Sequence, residues 1–329
     1  MLSRRWLSFI VVSVLLAGLF FWAVNTGGIK ISVLALYKGL FIEYNRDVEI
    51  IFDLRFPRIF IALMAGGALA VSGVLLQAVM KNPLADPGII GISAGAGFFS
   101  AAAVMLFPAL FFFIPMFAFA GGMVACLLVY TLSWKSGLSP LRIILVGIAI
   151  NAVFTGLLSA LQYIGGSSSR NMINSIVNAG MTMKTWADVR MLTGYVLFGV
   201  TASLFAAGKC NLLALEDKTV RNLGVNVNAV RIIISAIAVL LASIATAVVG
   251  TISFVGLIVP HIARLLIGRD HKVLLPFSCL LGSFTVLFAD TVGRTIAYPF
   301  EIPAAIVMAV VGGVFFIFLL RRSERIYGG

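Results

Sequence analysis

Long apolar runs alternate with short polar segments along the whole chain, and this pattern predicts ten transmembrane helices. A helix needs about 20 consecutive apolar residues to cross a bilayer. The predicted spans are residues 6–26, 58–80, 91–107, 109–133, 141–164, 191–209, 230–250, 252–268, 273–293 and 302–320. Because the segments between them are short, we expect residues 1–329 to form a single all-α transmembrane domain.

Composition supports a polytopic membrane protein. Hydrophobic residues make up 61% of the chain and charged residues 11%, whereas soluble domains average about 45–50% and about 25%. The 3 cysteines have no CxxC spacing, so neither a disulfide framework nor a zinc site is predicted. The net charge of +12 is spread over many loops. Because it forms no basic stripe, we expect no nucleic acid partner, and anionic membrane lipids account for the charge.

The distribution of basic residues predicts the orientation of the chain. Cytoplasmic loops carry an excess of Lys and Arg, and the majority of the 24 basic residues fall inside when both termini are cytoplasmic. In this orientation Arg55 and Arg58, in the stretch DLRFPRIF, lie outside, as does Arg294. Basic residues on that side need an explanation other than the orientation rule.

Sequence motifs bear on three further functional classes. GISAG, residues 91–95, matches the G-x-S-x-G pattern of hydrolases with Ser93 as nucleophile, but it opens a membrane helix in a chain with 2 histidines, which disfavours this reading. An ion-coupled secondary transporter would place ionisable residues near mid-membrane. The predicted spans carry few of them, and this class remains the alternative. No G-x-x-x-x-G-K-[ST] loop is present, so we expect no catalysis by this chain and ATP hydrolysis by another.

Residues 211–231 form the longest predicted cytoplasmic connection, which we call the coupling segment. It places apolar residues among charged ones: Leu213, Leu215, Glu216, Asp217, Lys218, Val220, Arg221 and Leu223. This pattern predicts a short amphipathic helix that Gly224 ends. Such a helix is suited to lie in a groove of a soluble partner.

Small residues recur every four positions in the second predicted span. Ala62, Gly66 and Ala70 form a stripe on one face of this helix. Stripes of this kind let two helix backbones approach closely. We therefore expect the second span to pack closely against another helix.

Four segments together resemble the permease family of ABC importers for ferric siderophores, haem and cobalamin, of the FecCD type. They are RFPRIFIALMAGGALAVSGVLLQAVMKNPLADPGIIGISAGAG (55–97), LEDKTVRNLGV (215–225), GTISFVGLIVPHIARLLIGRDHKVLLP (250–276) and ADTVGRTIAYPFEIP (289–303). The likeness follows the family's order and spacing over nearly the whole chain. It implies a type II importer permease with ten helices per subunit in a bacterial cell membrane.

The resemblance also implies partners. A second permease subunit, identical in a homodimer, would complete the pathway on the dimer axis. Two ATPase subunits would dock inside and bind ATP and Mg, while this chain itself binds no cofactor and no metal. A substrate-binding protein would deliver the ligand outside. A ferric siderophore is the expected ligand, with haem and cobalamin as alternatives.

Family roles carry over to individual positions. Arg55, Arg58 and Arg294 match extracytoplasmic arginines that pair with glutamates of the binding protein, which suits the planar guanidinium. Coupling to the ATPase falls on Leu215, Glu216, Asp217, Arg221, Leu223 and Gly224. The cytoplasmic gate falls on Asn82, Pro83 and Leu84. In the fifth span, Asn151 and Thr155 are expected to line the transport path.

Overall fold

The computed structural model describes residues 2–26, 31–41, 46–133, 140–164, 180–297 and 299–327, and within them every regular element is helical. The α-helices are α1 (Leu2–Val24), α2 (Val33–Phe41), α3 (Arg46–Ile50), α4 (Phe56–Met80), α5 (Ile92–Leu106), α6 (Ile114–Ser133), α7 (Pro140–Ile164), α8 (Trp186–Leu213), α9 (Asp217–Asn222), α10 (Val227–Val249), α11 (Val255–Ile267), α12 (His271–Ile296) and α13 (Ala304–Tyr327). A π-helical turn, Ile51–Arg55, leads into α4, and a 3₁₀ segment, Pro108–Phe113, precedes α6.

The apolar helices coincide with the ten predicted spans. Among the described residues, 7 helices are long and apolar enough to cross a membrane. They correspond to α1, α4, α6, α7, α8, α10 and α12. Three shorter apolar helices, Ile92–Leu106, Val255–Ile267 and Ala304–Phe318, lie at the remaining positions. The all-α polytopic fold is therefore confirmed. The prediction missed α2 and α3, which have 9 and 5 residues and are too short to stand out in a search for spans.

Helix α4 lies at the centre of the bundle. It packs against α8, α10, α11 and α12, and it is the most buried of the long apolar helices that the structure describes. A Cβ on Gly66 would overlap the carbonyl oxygen of Gly282 in α12, and one on Gly73 would overlap the backbone of Gly256 in α11. The predicted stripe of small residues is thus confirmed as a site of close helix packing.

Helix α4 connects two ends of the bundle that carry the predicted site residues. The arginine end contains Arg55, Arg58 and Arg294 and includes the last turn of α1 and of α12. The loop end contains residues 81–91 and the coupling segment. At the loop end, Lys81 ends α4 in a left-handed conformation with φ 50°, which turns the chain sharply into loop 81–91.

The coupling segment contains the predicted short helix, here α9. Gly224 follows it at φ 78°, a conformation that glycine adopts without steric cost. The Gly224 N–H donates to the Arg221 carbonyl at 2.9 Å, and the Val225 N–H donates to the Val220 carbonyl at 3.4 Å. This closes the helix as a glycine C-terminal motif does. The predicted helix end at Gly224 is confirmed.

Candidate functional site

Arg58, at the start of α4, lies in a buried ion-pair cluster at the arginine end. Its Nε donates to Asp290 Oδ2 at 3.0 Å, and its Nη2 donates to Asp290 Oδ1 at 2.8 Å. Its Nη1 donates to Glu301 Oε2 at 2.8 Å. The bidentate contact with Asp290 is the strong geometry of arginine and carboxylate. Both Arg58 and Asp290 are buried, so this pair joins α4 to α12 in a region of low dielectric.

The other two arginines reach the last carbonyl groups of α1. Arg294 lies one turn after Asp290, with its Nε 3.2 Å from Asp290 Oδ2, and its Nη2 donates to the Ala23 carbonyl at 3.5 Å. Arg55 donates through Nη1 to the Val24 carbonyl. These contacts satisfy carbonyl groups that a helix end leaves without an intrahelical donor. The structure thus brings all three predicted arginines to one end of the protein.

The environment of these arginines differs from the one that the sequence suggested. Arg58 and Arg294 are buried against internal carboxylates, while Arg55 is half-buried. The pairing of Arg58 with Asp290 and Glu301 was not predicted, because a single sequence gives no signal for pairing between distant positions. A role in docking a binding protein stays a prediction for all three arginines, and for Arg58 it requires an exchange of partners.

Loop 81–91, at the opposite end, is braced by its own side chains. Asn82 is buried and accepts the Leu84 N–H through Oδ1 at 2.9 Å. Asp86 accepts the Gly88 and Ile89 N–H groups through Oδ1 at 2.8 and 3.1 Å. Both are turns in which a short polar side chain binds the backbone two or three residues on. Of the predicted gate residues, Pro83 is exposed and Leu84 is half-buried.

Asp86 is the acid of this loop, and it is buried. Burial raises its pKa to about 6, although backbone amides of Ile89, Gly88, Phe254 and Gly256 favour the ionised form. Its Oδ2 lies against the first turn of α11 without a well-formed hydrogen bond from any described residue. An acid aimed at a helix N-terminus interacts favourably with the helix dipole. Asp86 therefore connects the loop to α11.

A lone amide in α4 forms the second connection between the loop and α11. Gln77 donates through Nε2 to the Ala85 carbonyl at 3.1 Å and to the Gly256 carbonyl at 2.9 Å. Its Oε1 accepts a hydrogen bond from Arg264. Sequence reasoning missed this network, and the signal that could have revealed it was a glutamine within an otherwise apolar span. The network fixes loop 81–91 to two helices.

The coupling segment is tied to the same loop through Asp217. Lys81 Nζ lies 2.9 Å from Asp217 Oδ1, and Arg231 Nη2 lies 3.0 Å from the same oxygen. Burial favours the neutral acid, but the hydrogen bond from Lys81 and the charge of Arg231 lower the pKa of Asp217 below its usual value. Asp217 thus joins the predicted coupling residues to the end of α4 that leads into the predicted gate.

The apolar residues of the coupling segment divide between the inside and the outside of the protein, whereas the remaining predicted coupling residues are all exposed. Val220 and Leu213 are buried against the bundle. Leu215 and Leu223 are exposed, Leu223 by 60% of its surface, and Glu216, Arg221 and Gly224 are exposed beside them. The outward surface of the segment therefore presents two leucines among charged groups, which is the pattern that a groove of another protein would cover.

A cavity of about 220 Å³ lies between α5, α7 and α10 and is lined by the predicted path residues Asn151 and Thr155. Gly88 of loop 81–91 also lines it. Ser93 and Thr246 contribute buried hydroxyls that find no hydrogen-bond partner among the described residues. Sequence reasoning had considered Ser93 only as a hydrolase nucleophile, so its place in this cavity was missed.

A second cavity of about 210 Å³ lies beside the first. Thr251 lines both, and the second cavity extends to residues 303–306, close in sequence to Glu301. Apart from Leu158, the described lining groups of the first cavity are small or neutral and polar. Within the described part of the chain, no group of three His, Cys, Asp or Glu side chains could hold a metal ion.

Comparisons with known proteins place this geometry in a family. Residues 14–322 match the family model of the FecCD transport family. The chain is 39% identical to the "Probable heme-iron transport system permease protein IsdF" of Staphylococcus aureus strain Newman, over 98% of each chain. The structure matches a metal-chelate type ABC transporter solved in an inward-facing conformation, with a TM-score of 0.79 and 28% identity, over 96% of this chain and 99% of that one.

A more distant likeness concerns the fold alone. PsaBC from Streptococcus pneumoniae, solved in complex with Fab, matches with a TM-score of 0.57 and 16% identity, over 87% of this chain and 95% of that one. The family match and the full-length relative agree with the multi-pass helical bundle and with the absence of a phosphate-binding loop in the sequence. The chain belongs to the FecCD transport family and is a permease subunit of an ABC importer, whose ATPase is a separate subunit.

Proposed function

We propose that this permease moves iron held in an organic chelate into the cytoplasm, with haem-iron as the favoured cargo. The relative at 39% identity over 98% of both chains carries a haem-iron name, and the solved relative carries a metal-chelate name. The resemblance of the sequence implied a ferric siderophore as the expected ligand, with haem and cobalamin as alternatives. The relatives favour the haem alternative.

The observation that carries the transport mechanism is the pair of cavities that share Thr251. One reaches loop 81–91 at Gly88, and the other reaches residues 303–306 toward the arginine end. Pockets that enclose whole drug-sized ligands have volumes of about 300–1,000 Å³. Cavities of about 220 and 210 Å³ are smaller, so we infer that the segment around Thr251 and loop 81–91 must move for a bulky chelate to pass.

The chemistry of the first cavity suits passage better than retention. Its walls carry hydroxyl, amide and glycine groups, including Ser93, Asn151, Thr155 and Thr246, and none of the described lining residues has a charged side chain. Transport requires that binding along a path be weak enough for the substrate to leave. Neutral hydrogen-bonding groups meet this requirement, because each contributes little net free energy. A second copy of the permease would complete the walls of the path.

Movement would pass from the ATPase to the path through Asp217. We propose that Leu215 and Leu223 lie in a groove of the ATPase, which binds ATP and Mg. A displacement of α9 would then act on Lys81, because Asp217 at the start of α9 forms an ion pair with Lys81. Lys81 is the first residue of loop 81–91, whose Asn82, Pro83 and Leu84 are the proposed gate. This side of the membrane is the cytoplasm in the proposed orientation.

Docking of a substrate-binding protein is proposed at the arginine end. Arg55 is half-buried and borders the ion-pair cluster. Glutamates of a binding protein could pair with Arg55 directly. Pairing with Arg58 or Arg294 would require these side chains to leave Asp290, which links docking to a rearrangement between α4 and α12.

Reconstitution of the importer tests the proposal. The permease, its ATPase and its binding protein would be placed in proteoliposomes, and uptake of haemin, a ferric siderophore and cobalamin would be measured with and without ATP. We expect ATP-dependent uptake of haemin above the other two ligands, and none with an ATPase that lacks its phosphate-loop lysine. Uptake of the siderophore alone would reverse the order of cargoes. Failure of every ligand with an active ATPase would contradict an iron-chelate importer.

A further inference from the structure

A groove of about 540 Å³ lies between α6 and α10, separate from the cavities described above. The two helices run in opposite directions, because Tyr130 contacts Ser235 while Gly122 contacts Ser243. The groove opens to the outside of the bundle, since Leu127 and Ile232 on its walls are exposed by 55% and 70%. It is therefore accessible from the surroundings of the helices.

The groove is polar at one end and apolar along the rest. Asn228 and Arg231 line it in the first turns of α10, at the loop end of the bundle. Met123, Cys126 and Leu127 line it farther from that end. The α6 lining extends from Met123 to Thr131, which is about 12 Å along a helix at about 1.5 Å per residue. One leaflet of a bilayer contributes about 15 Å of hydrocarbon, so this length is appropriate for part of one acyl chain.

Arg231 supplies an unused donor at the polar end. Its side chain is 12% exposed, and its Nη2 binds Asp217. Its Nε is buried and has no hydrogen-bond partner among the residues that the structure describes. Lys81 contacts the same oxygen of Asp217, so two cations share one carboxylate and leave an excess positive charge beside the groove. A buried donor without a partner is costly, and an anionic group would satisfy both the donor and the charge.

We propose that this groove binds an anionic phospholipid. The lipid phosphate pairs with the guanidinium of Arg231, and one acyl chain lies along Met123, Leu127 and Ile232. Basic pockets between transmembrane helices near the membrane surface are suited to anionic head groups. Because Arg231 also holds Asp217, an occupied groove fixes the first turn of α9 relative to α10. This proposal concerns a lipid site and does not depend on the identity of the transported cargo.

Native mass spectrometry of the purified full-length chain tests the proposal. Dioleoyl phosphatidylglycerol and dioleoyl phosphatidylcholine would be titrated in parallel, with inorganic phosphate as a competitor. Arg231→Gln removes the donor and the charge, and Arg231→Lys keeps the charge. Lys209→Gln removes an exposed charge outside the groove. Leu127→Trp fills the groove, whereas Leu128→Trp places the same bulk on the same helix outside it.

A lipid site in this groove predicts a different binding result for each variant. The native chain should bind one phosphatidylglycerol above phosphatidylcholine, and inorganic phosphate should not displace it. Arg231→Gln should reduce this preference about tenfold, as the loss of one charge-assisted hydrogen bond implies, while Arg231→Lys and Lys209→Gln should largely keep it. Leu127→Trp should abolish the tight site and Leu128→Trp should retain it.

Other results would overturn the lipid site. Equal binding of the two lipids by the native chain would show that Arg231 does not select an anion. Displacement by inorganic phosphate would indicate a simple anion site. Loss of self-association in Leu127→Trp but not in Leu128→Trp would assign the groove to a second copy of this chain. If Arg231→Gln fails to fold, the comparison of the two tryptophan variants still decides whether a lipid occupies the groove.

Discussion

Asp86 contributes a stability term that depends on pH. Its folded-state pKa is raised from 3.8 to about 6 by burial, so the folded protein binds this proton more tightly than the unfolded chain does. Stability from this group is therefore present below pH 4 and is lost as pH rises through about 6. At about 1.4 kcal/mol per pKa unit, the loss amounts to about 3 kcal/mol.

The substitution Asp86→Asn tests this dependence, because the amide stays neutral at every pH. Thermal unfolding of the native chain and of the variant would be measured in detergent between pH 4 and pH 7. We expect the midpoint of the variant to rise relative to that of the native chain as pH increases, with the steepest change near pH 5, about midway between the two pKa values. A difference that is constant over this range would mean that Asp86 has the same pKa in the folded and unfolded chains.

Arg55→Glu is the cleanest single test of docking at the arginine end. Arg58 and Arg294 are poorer choices, because reversing either would leave Asp290 buried beside a like charge and would destabilise the fold. We expect Arg55→Glu to slow association of the binding protein roughly tenfold at low salt. The effect should shrink at about 1 M salt, where the Debye length is about 3 Å. Surface plasmon resonance on nanodiscs at the two salt concentrations would measure it.

Lys38→Glu is the matched control for Arg55→Glu. Lys38 is an exposed cation on α2, between α1 and α4, and its reversal changes the net charge equally. We expect its association rate to stay close to that of the native chain. Equal slowing by both reversals would attribute the effect to general surface charge, and no slowing by Arg55→Glu would remove Arg55 from the docking surface.

At the scale of elements, the coupling segment gives the most direct prediction. Leu223→Asp would place a carboxylate in an apolar groove of the ATPase, which is costly without a partner. Gly224→Pro would force φ from 78° to about −65°. We expect each to lower ligand-stimulated ATPase activity and uptake roughly tenfold, which corresponds to about 1.4 kcal/mol. Lys272→Asp, an exposed change outside the segment, should leave both activities close to native, and full activity of Leu223→Asp would exclude this contact.

Local patterns predicted the elements better than the orientation of their side chains. The spacing of apolar runs located the spans, and Gly224 marked the end of α9, because both depend on neighbouring residues. The pattern could not separate Val220, which is buried, from Leu223, which is exposed. Both are apolar members of the same short helix, and only packing against α8 and α10 decides which one turns inward.

At the scale of the whole molecule, sequence reasoning failed where contacts join distant residues. It placed Arg55, Arg58 and Arg294 at one end, since topology alone requires this once the spans are known. It did not find the ion pair of Arg58 with Asp290 or the contact of Lys81 with Asp217. Such pairs depend on the lateral arrangement of helices, which hydropathy does not encode.

At this scale we also predict the energy source of transport, which depends on the whole importer. Uptake into membrane vesicles should require ATP and the ATPase partner, and it should persist when a protonophore collapses the proton gradient. The reason is the lack of a phosphate-binding loop in this chain and the scarcity of acids in its spans. Uptake by this chain alone under an imposed ion gradient would contradict ATP-driven transport and support the ion-coupled alternative.

The central position of α4 has a consequence for biosynthesis. Its glycines, Gly66 and Gly73, contact Gly282 and Gly256, which the ribosome adds much later. During translation α4 therefore resides in the membrane before α11 and α12 exist, with its small-residue face against lipid or an insertion factor. Nascent chains that end before α11 leave this face uncovered, and they are the form that membrane quality control would recognise as incomplete.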